Sequence, residues 1–247
     1  MAGRQFETSR PRSADGRFEL TRWSIVRAAK GNEPEARAAL EILCANYWYP
    51  VYAFVRRQQH SPHDAQDLTQ SFFTKLLEKR WLDGVEREKG RFRSFLLVSV
   101  KHFLSNERDH AEAQKRGGGR RQISLDISSA ETRYAAEPHD TATPEKIFER
   151  RWAFTLLERV LGRLRVEMTA AGKEELFDEL KPTLAGEQSP YAQIAERLGM
   201  TEGAVKVAAH RLRKRYRELI RDEIAQTVAD GDEVDEELRD LMSALSA

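Results

Sequence analysis

Apolar residues recur at helical spacing along most of the chain and almost nowhere alternate as they would in a half-buried strand. The opening stretch, 1–18, has no such period and reads as a disordered leader. From Thr21 to Arg57 the series Trp23, Val26, Ala39, Leu43, Trp48, Tyr52 and Val55 predicts two or three helices. Gly31-Asn32-Glu33-Pro34 breaks this stretch, and Pro50 sits inside it. Three later helix starts share one grammar: Ser61-Pro62, Thr143-Pro144 and Ser189-Pro190. A hydroxyl can cap orphan N–H groups, and proline at the first helical position loses no needed donor.

The first of these opens a helix expected over Pro62–Lys79. Ala65, Leu68, Phe72, Phe73, Leu76 and Leu77 fall on one half of its circumference, and Asp64, Asp67, Gln70, Ser71, Thr74 and Lys75 on the other. The next helix, Phe92–Ala113, is apolar through Phe95, Leu96, Val98, Val100, Phe103 and Leu104. It then turns polar with Asn106, Arg108 and His110, and Gly117-Gly118-Gly119 stops it. The polar stretch 120–143 lacks sustained periodicity and reads as a linker. Helices follow over Pro144–Leu164 and Lys173–Leu184, then a closely spaced pair, then a short amphipathic segment, Val234–Leu245. The fold class this predicts is all-α. Two small helical domains, 19–119 and 144–222, are joined by the flexible linker 120–143 and followed by an extension, 223–247.

The closely spaced pair carries the sharpest local signal. A helix over Pro190–Leu198 ends at Gly199, which can take the left-handed conformation a tight turn needs. Ala195 is small enough for a second helix to cross closely, Thr201 can cap that helix, and Val205 anchors it. Small residue, glycine and branched aliphatic at these intervals form a helix-turn-helix. On the second helix Val205, Ala209, Leu212, Tyr216 and Leu219 make an inward stripe, while Gly203, Lys206, Val207, His210, Lys214 and Arg217 face out.

Charge sharpens this. Lys and Arg number 41 against 40 Asp and Glu, a net charge of +1, but the charges are segregated. The segment 205–221 holds Lys206, Arg211, Arg213, Lys214, Arg215, Arg217 and Arg221, whereas 222–240 is acidic, opposed only by Arg239. A cationic outer face on the second helix of such a pair suits insertion between phosphates. The single cysteine, Cys44, excludes an intrachain disulfide, reads as a buried inert thiol and fits a reducing cytoplasm. No apolar run is long enough to span a membrane, and Arg4, Arg10, Arg12 and Arg17 precede no secretory apolar core. His60, His63 and Asp64 lie close together without a complementary ligand cluster, and the triple glycine lacks the pattern of a phosphate loop. No metal, cofactor or enzymatic activity is expected.

Two segments carry a family resemblance. Ser189–Leu219, "SPYAQIAERLGMTEGAVKVAAHRLRKRYREL", resembles region four of bacterial sigma factors of the extracytoplasmic-function type. Asp64–Leu77, "DAQDLTQSFFTKLL", resembles their region two, and Gly90–Arg116 resembles the promoter-recognition and melting part of that same region. The resemblance implies a non-catalytic transcription initiation factor that binds core RNA polymerase, at its largest-subunit clamp helices and its flap region, and promoter DNA. It implies polymerase docking by Asp64, Asp67 and Gln70, with Thr74 nearby. It implies capture of flipped bases near minus ten by Lys101, His102, Ser105, Asn106 and Arg108, with Lys115 and Arg116 on phosphates. Contact near minus thirty-five falls to Thr201, Gly203, Lys206, Val207, His210, Arg211, Lys214 and Arg217. The linker would thread toward the polymerase active site, where Asp126, Glu131 and Glu137 could mimic nucleic-acid charge.

The chain also departs from the family pattern. His102 and Asn106 stand where an "N…D" pair is common, and Val207 and Ala208 replace an expected serine and arginine. Val207 could meet a thymine methyl. The acidic extension resembles that of one subgroup with long ends; it could cover the basic face, recruit an anti-sigma or other regulator, or simply be solvated. The competing reading is a homodimeric helix-turn-helix regulator that acts without polymerase, which gel filtration and a polymerase pull-down would separate.

Overall fold

The computed structural model describes Val26, Ala29, Leu82 and residues 34–78, 91–113, 130–135, 142–187, 190–225, 227–228 and 233–246. Among them every regular element is helical. The leader 1–18 and most of the linker lie outside the described residues.

Helix α1 spans Pro34–Arg57 and runs without interruption through Pro50. The sequence predicts two or three helices over Thr21–Arg57; α1 starts at the predicted break, and Pro50 makes no second one, although an interior proline costs roughly 3 kcal/mol. Burial outweighs that cost. Leu43, Tyr47, Val51, Tyr52, Phe54 and Val55 are all buried, so α1 is covered on nearly every side. Helix α2 (Pro62–Glu78) packs on it, and α3 (Phe92–Ala113) on α2. Their aromatic faces interlock, with Phe72 and Phe103 edge-to-face at 5.6 Å and Tyr47 and Phe92 at 5.4 Å.

Within 120–143 a single helical turn and a half, α4 (Ala130–Ala135), is folded against α1. Its Glu131 accepts from Arg56 in a fork, Nη2 at 2.7 Å and Nε at 3.0 Å, and also from the Tyr52 hydroxyl. The Arg56 hydrogen bonds hold the Glu131 carboxyl below the usual range, while burial and Glu131 push the Tyr52 hydroxyl up. Glu131 is thus committed to the fold. Asp126 and Glu137 lie outside the described residues.

Helix α5 (Pro144–Ala170) is the spine of the second half. Thr143 caps it by accepting from Lys146 N–H at 3.3 Å, with Pro144 in the first turn as expected. Phe148, Trp152, Leu156, Val160 and Leu164, one every four residues, are buried along its length. Among the described helices the most extensive contact is α1 on α5. The core therefore does not divide at 120–143. It runs continuously from α1 to the C-terminal helix, because α1 is apolar on more sides than two partner helices can cover.

After α5 come α6 (Glu174–Leu180), a short 3₁₀ segment (Lys181–Ala185), α7 (Tyr191–Arg197), α8 (Glu202–Ala225) and α9 (Glu233–Ser246). The acidic extension is not a solvated tail. Helix α9 packs on α5 and α8, burying Val234, Glu237 and Leu241. Cys44 is buried among α1 neighbours, and burial pushes its thiol up to about 12, as an inert core cysteine requires.

Candidate nucleic-acid interface

Helices α7 and α8 meet across the turn the sequence predicts. Gly199 adopts φ +61°, and a Cβ there would meet nothing within 4 Å. The glycine is required by backbone conformation, not by space. Met200 N–H donates to Ala195 C=O at 2.9 Å and Gly199 N–H to Glu196 C=O at 3.4 Å, the paired bonds of a Schellman cap. The Thr201 hydroxyl accepts from Ala204 N–H at 3.2 Å and so starts α8. One element differs. Pro190 occupies the capping position of α7 itself and supplies no side-chain cap, so the third hydroxyl–proline start does not place proline in the first turn; Ser189 lies outside the described residues.

The two faces of α8 sort as expected. Val205, Ala209, Leu212 and Leu219 are buried and Tyr216 half-buried; burial pushes the Tyr216 hydroxyl up. Thr201, Gly203, Lys206, Val207, His210, Arg211, Lys214 and Arg217 are all exposed. Val207, at 50% exposure, puts an isolated apolar spot among these cations. Lys206 leans on Glu202 at 2.7 Å, a hydrogen bond that raises its pKa, and Lys214 lies 4.0 Å from Glu218. Arg211, Arg213 and Arg217 make no ion pair with another described residue. Arg215 is different: its guanidinium forks onto Glu167 of α5 at 2.8 and 2.9 Å, so this cation fixes α8 to the core.

Residues 184–215 match the family described as Sigma-70, region 4. This span takes in α7, the turn and the outward cations of α8 as far as Lys214. The chain carries a sigma-70 region 4 domain. No curated protein and no solved structure matches it. A region 4 domain is non-enzymatic, and it implies RNA polymerase and promoter DNA as partners, with contact near minus thirty-five. Its outer face is the cationic strip just described. Among the described residues no helix is long and apolar enough to cross a membrane, and no cluster of metal-ligating side chains occurs.

The other sequence-predicted residues lie away from the region 4 domain. On α2, Asp64 and Asp67 are exposed one turn apart, and Gln70 and Thr74 are half-buried below them. The Ser61 hydroxyl accepts from Asp64 N–H at 3.1 Å and donates to the Asp64 carboxylate at 2.7 Å. Asp67 lies 3.4 Å from His63 Nδ1, and the Thr74 hydroxyl donates to Gln70 C=O at 2.9 Å. On α3, Lys101, His102, Ser105, Asn106 and Arg108 are exposed, while Lys115 and Arg116 lie outside the described residues. Lys101 is paired with Glu145 of α5 at 2.7 Å. Val98, read from sequence as core, is 53% exposed beside His102 and Ser105. Its neighbours Leu96 and Val100 already fill the inward face.

Sequence reasoning did not anticipate Arg91, Arg93 and Glu237, which meet in the interior. The available signal was an Arg-x-Arg pair at a helix start with no acidic residue in its first turn. Its complement was carboxylates at 236, 237 and 240, on one side of an amphipathic tail helix.

Proposed function

We propose that the chain is a sigma factor of the extracytoplasmic-function type, which docks on core RNA polymerase and directs promoter recognition and melting. The supporting observation is the outer face of α8: exposed cations with an apolar spot at Val207, carried by a helix-turn-helix whose turn, cap and anchor are all in place. That face meets duplex DNA near minus thirty-five, with Lys206, Arg211, Lys214 and Arg217 on phosphates. Thr201, Gly203 and His210 stand at the same surface. A Cβ at Gly203 would meet nothing within 4 Å, so this first turn of α8 is open to an approaching duplex.

The exposed Asp64 and Asp67, supported by Gln70 and Thr74, form the surface for the clamp helices of the polymerase largest subunit. Lys101, His102, Ser105, Asn106 and Arg108 take unstacked bases of the minus-ten element, with Lys115 and Arg116 on the adjoining backbone. Binding energy is used to place polymerase and to favour the open promoter; no bond is made or broken by this chain. The two halves act as separate modules, 19–119 and 144–222, once bound.

Run-off transcription with core polymerase, the purified chain and genomic fragments tests this. Discrete chain-dependent transcripts are expected. A chain that binds duplex DNA as a stable dimer and neither binds polymerase nor yields transcripts would overturn the reading.

A further inference from the structure

Helix α3 begins with two arginines, Arg91 just before it and Arg93 in its first turn, and has no carboxylate of its own there. Cations are unfavourable at a helix N-terminus. The counter-charge comes from the other end of the chain. Glu237 of α9, 1% exposed, accepts from Arg93 through both carboxylate oxygens at 2.9 Å, and Arg91 Nε lies 2.7 Å from it. One turn on, Asp240 pairs with Arg91 and lies 3.4 Å from Arg93. Glu149 of α5 closes on Arg93 from the other side, and the Trp152 ring lies 4.4 Å beneath the guanidinium. On the far flank of α9, Asp235 pairs with Arg221 of α8 at 2.7 Å. Leu238 and Leu245 pack on the core below.

This arrangement stitches α3 to α5 and α8 through α9. A buried ion network of this kind is all-or-none, because removing one partner strands a desolvated charge. The stitched elements include the two that carry the proposed promoter contacts, α3 and α8. The minus-ten and minus-thirty-five elements lie about 85 Å apart at ~3.4 Å per base pair. A compact chain of this length has a radius of gyration of only ~18 Å. One closed body cannot reach both. The α8 face itself stays uncovered, so α9 does not block upstream DNA.

Resting on the sigma-factor reading, we propose that α9 is an intramolecular latch. Its carboxylates tie the melting helix α3 to α5 and, by way of α9 itself, to α8 in the free chain, and polymerase and promoter engagement releases it. Opening also parts α1 from α5, an apolar contact that docking must replace, so the closed form dominates in the free chain.

The test uses the full chain with Cys44→Ser and spin labels at Val98→Cys and Arg213→Cys. The labelled parent should give one short distance. Adding Glu237→Gln should introduce a longer population, enriched on the order of tenfold, and strengthen polymerase binding by a similar factor. Affinity for a duplex carrying only the upstream element should not change. Glu237→Asp, which keeps the charge facing Arg91 and Arg93, should retain the short distance. Hydrogen exchange on the unsubstituted chain needs no variant: α9 amides should lose protection on binding polymerase and promoter while α5 keeps its own. Unchanged α9 protection in that complex, or a single short distance in Glu237→Gln alongside normal polymerase binding, would overturn the latch. A longer distance in Glu237→Gln with no polymerase binding by any variant would instead overturn the sigma-factor reading.

Discussion

Removing the ammonium groups of Lys206 and Lys214 should flatten the salt dependence of duplex binding, by an amount the structure lets us bound. The outward face of α8 offers the cationic side chains of Lys206, Arg211, Lys214 and Arg217. Each phosphate contact contributes roughly 0.9 to the slope of log affinity against log salt, so four contacts give about −3.6. Between about 50 and about 200 mM salt the parent should then lose on the order of 150-fold in affinity. The double variant Lys206→Ala/Lys214→Ala should have a slope near about −1.8 and lose only ~12-fold over the same range. Lys206 must give up its 2.7 Å contact with Glu202 to reach DNA, whereas Arg217 has no such partner among the described residues. Arg217→Ala should therefore weaken binding at least as much as Lys206→Ala. Arg215→Ala serves as the contrast: its charge is already forked onto Glu167, so the slope should stay at the parent value even if stability falls. Fluorescence anisotropy of a labelled duplex across a salt series measures all of these. Equal slopes for parent and double variant, or a slope change confined to Arg215→Ala, would refute the placement of this face on DNA.

Reversing charge with Asp64→Lys and Asp67→Lys should abolish polymerase pull-down while leaving duplex affinity within about twofold, since the residues are far from α8 in sequence and on separate helices. Gly199→Ala should cost about 1–2 kcal/mol in urea unfolding, because a Cβ at positive φ is strained whatever the space around it. Glu131→Gln should destabilise the chain at neutral pH. The Glu131 carboxyl is held below its ordinary value of 4.5 by Arg56, so its contribution is present above that value and lost as pH falls through the depressed one; the gap between parent and variant in denaturation midpoint should close on acidification. Leu156→Ala, at a fully buried point of the spine, should cost ~2–5 kcal/mol and shift a single unfolding transition; two resolved transitions would contradict the continuous core.

The helices were largely legible in the sequence because their signals are local. The start of α3 follows from an apolar series, and the α7–α8 turn from one glycine and one threonine. The inward and outward faces of α8 follow from a 3.6-residue period alone. What the sequence hid was long-range. Pro50 leaves two or three helices open over Thr21–Arg57, and only the surrounding helices explain why α1 runs through it. Arg215 reads as one more cation of the basic strip until Glu167, far earlier in the chain, is found beside it. Glu237 reads as a solvated carboxylate in an acidic run, yet it is among the most buried charged groups described, because its arginine partners lie some 145 positions away. Val98 errs the other way, an apolar residue in an apolar series that faces out. Periodicity says which residues share a face and not which face a distant element will cover.

The seating of α1 against α5 has a consequence for biosynthesis. Translation finishes α1 at Arg57, but the helix that covers it does not begin until Pro144. At about 5–20 residues per second, the ribosome leaves that apolar helix without its principal cover for several seconds. Nascent chains should therefore engage holdase chaperones during that interval, and slow codons placed between the two helices should lower soluble yield without altering the finished protein.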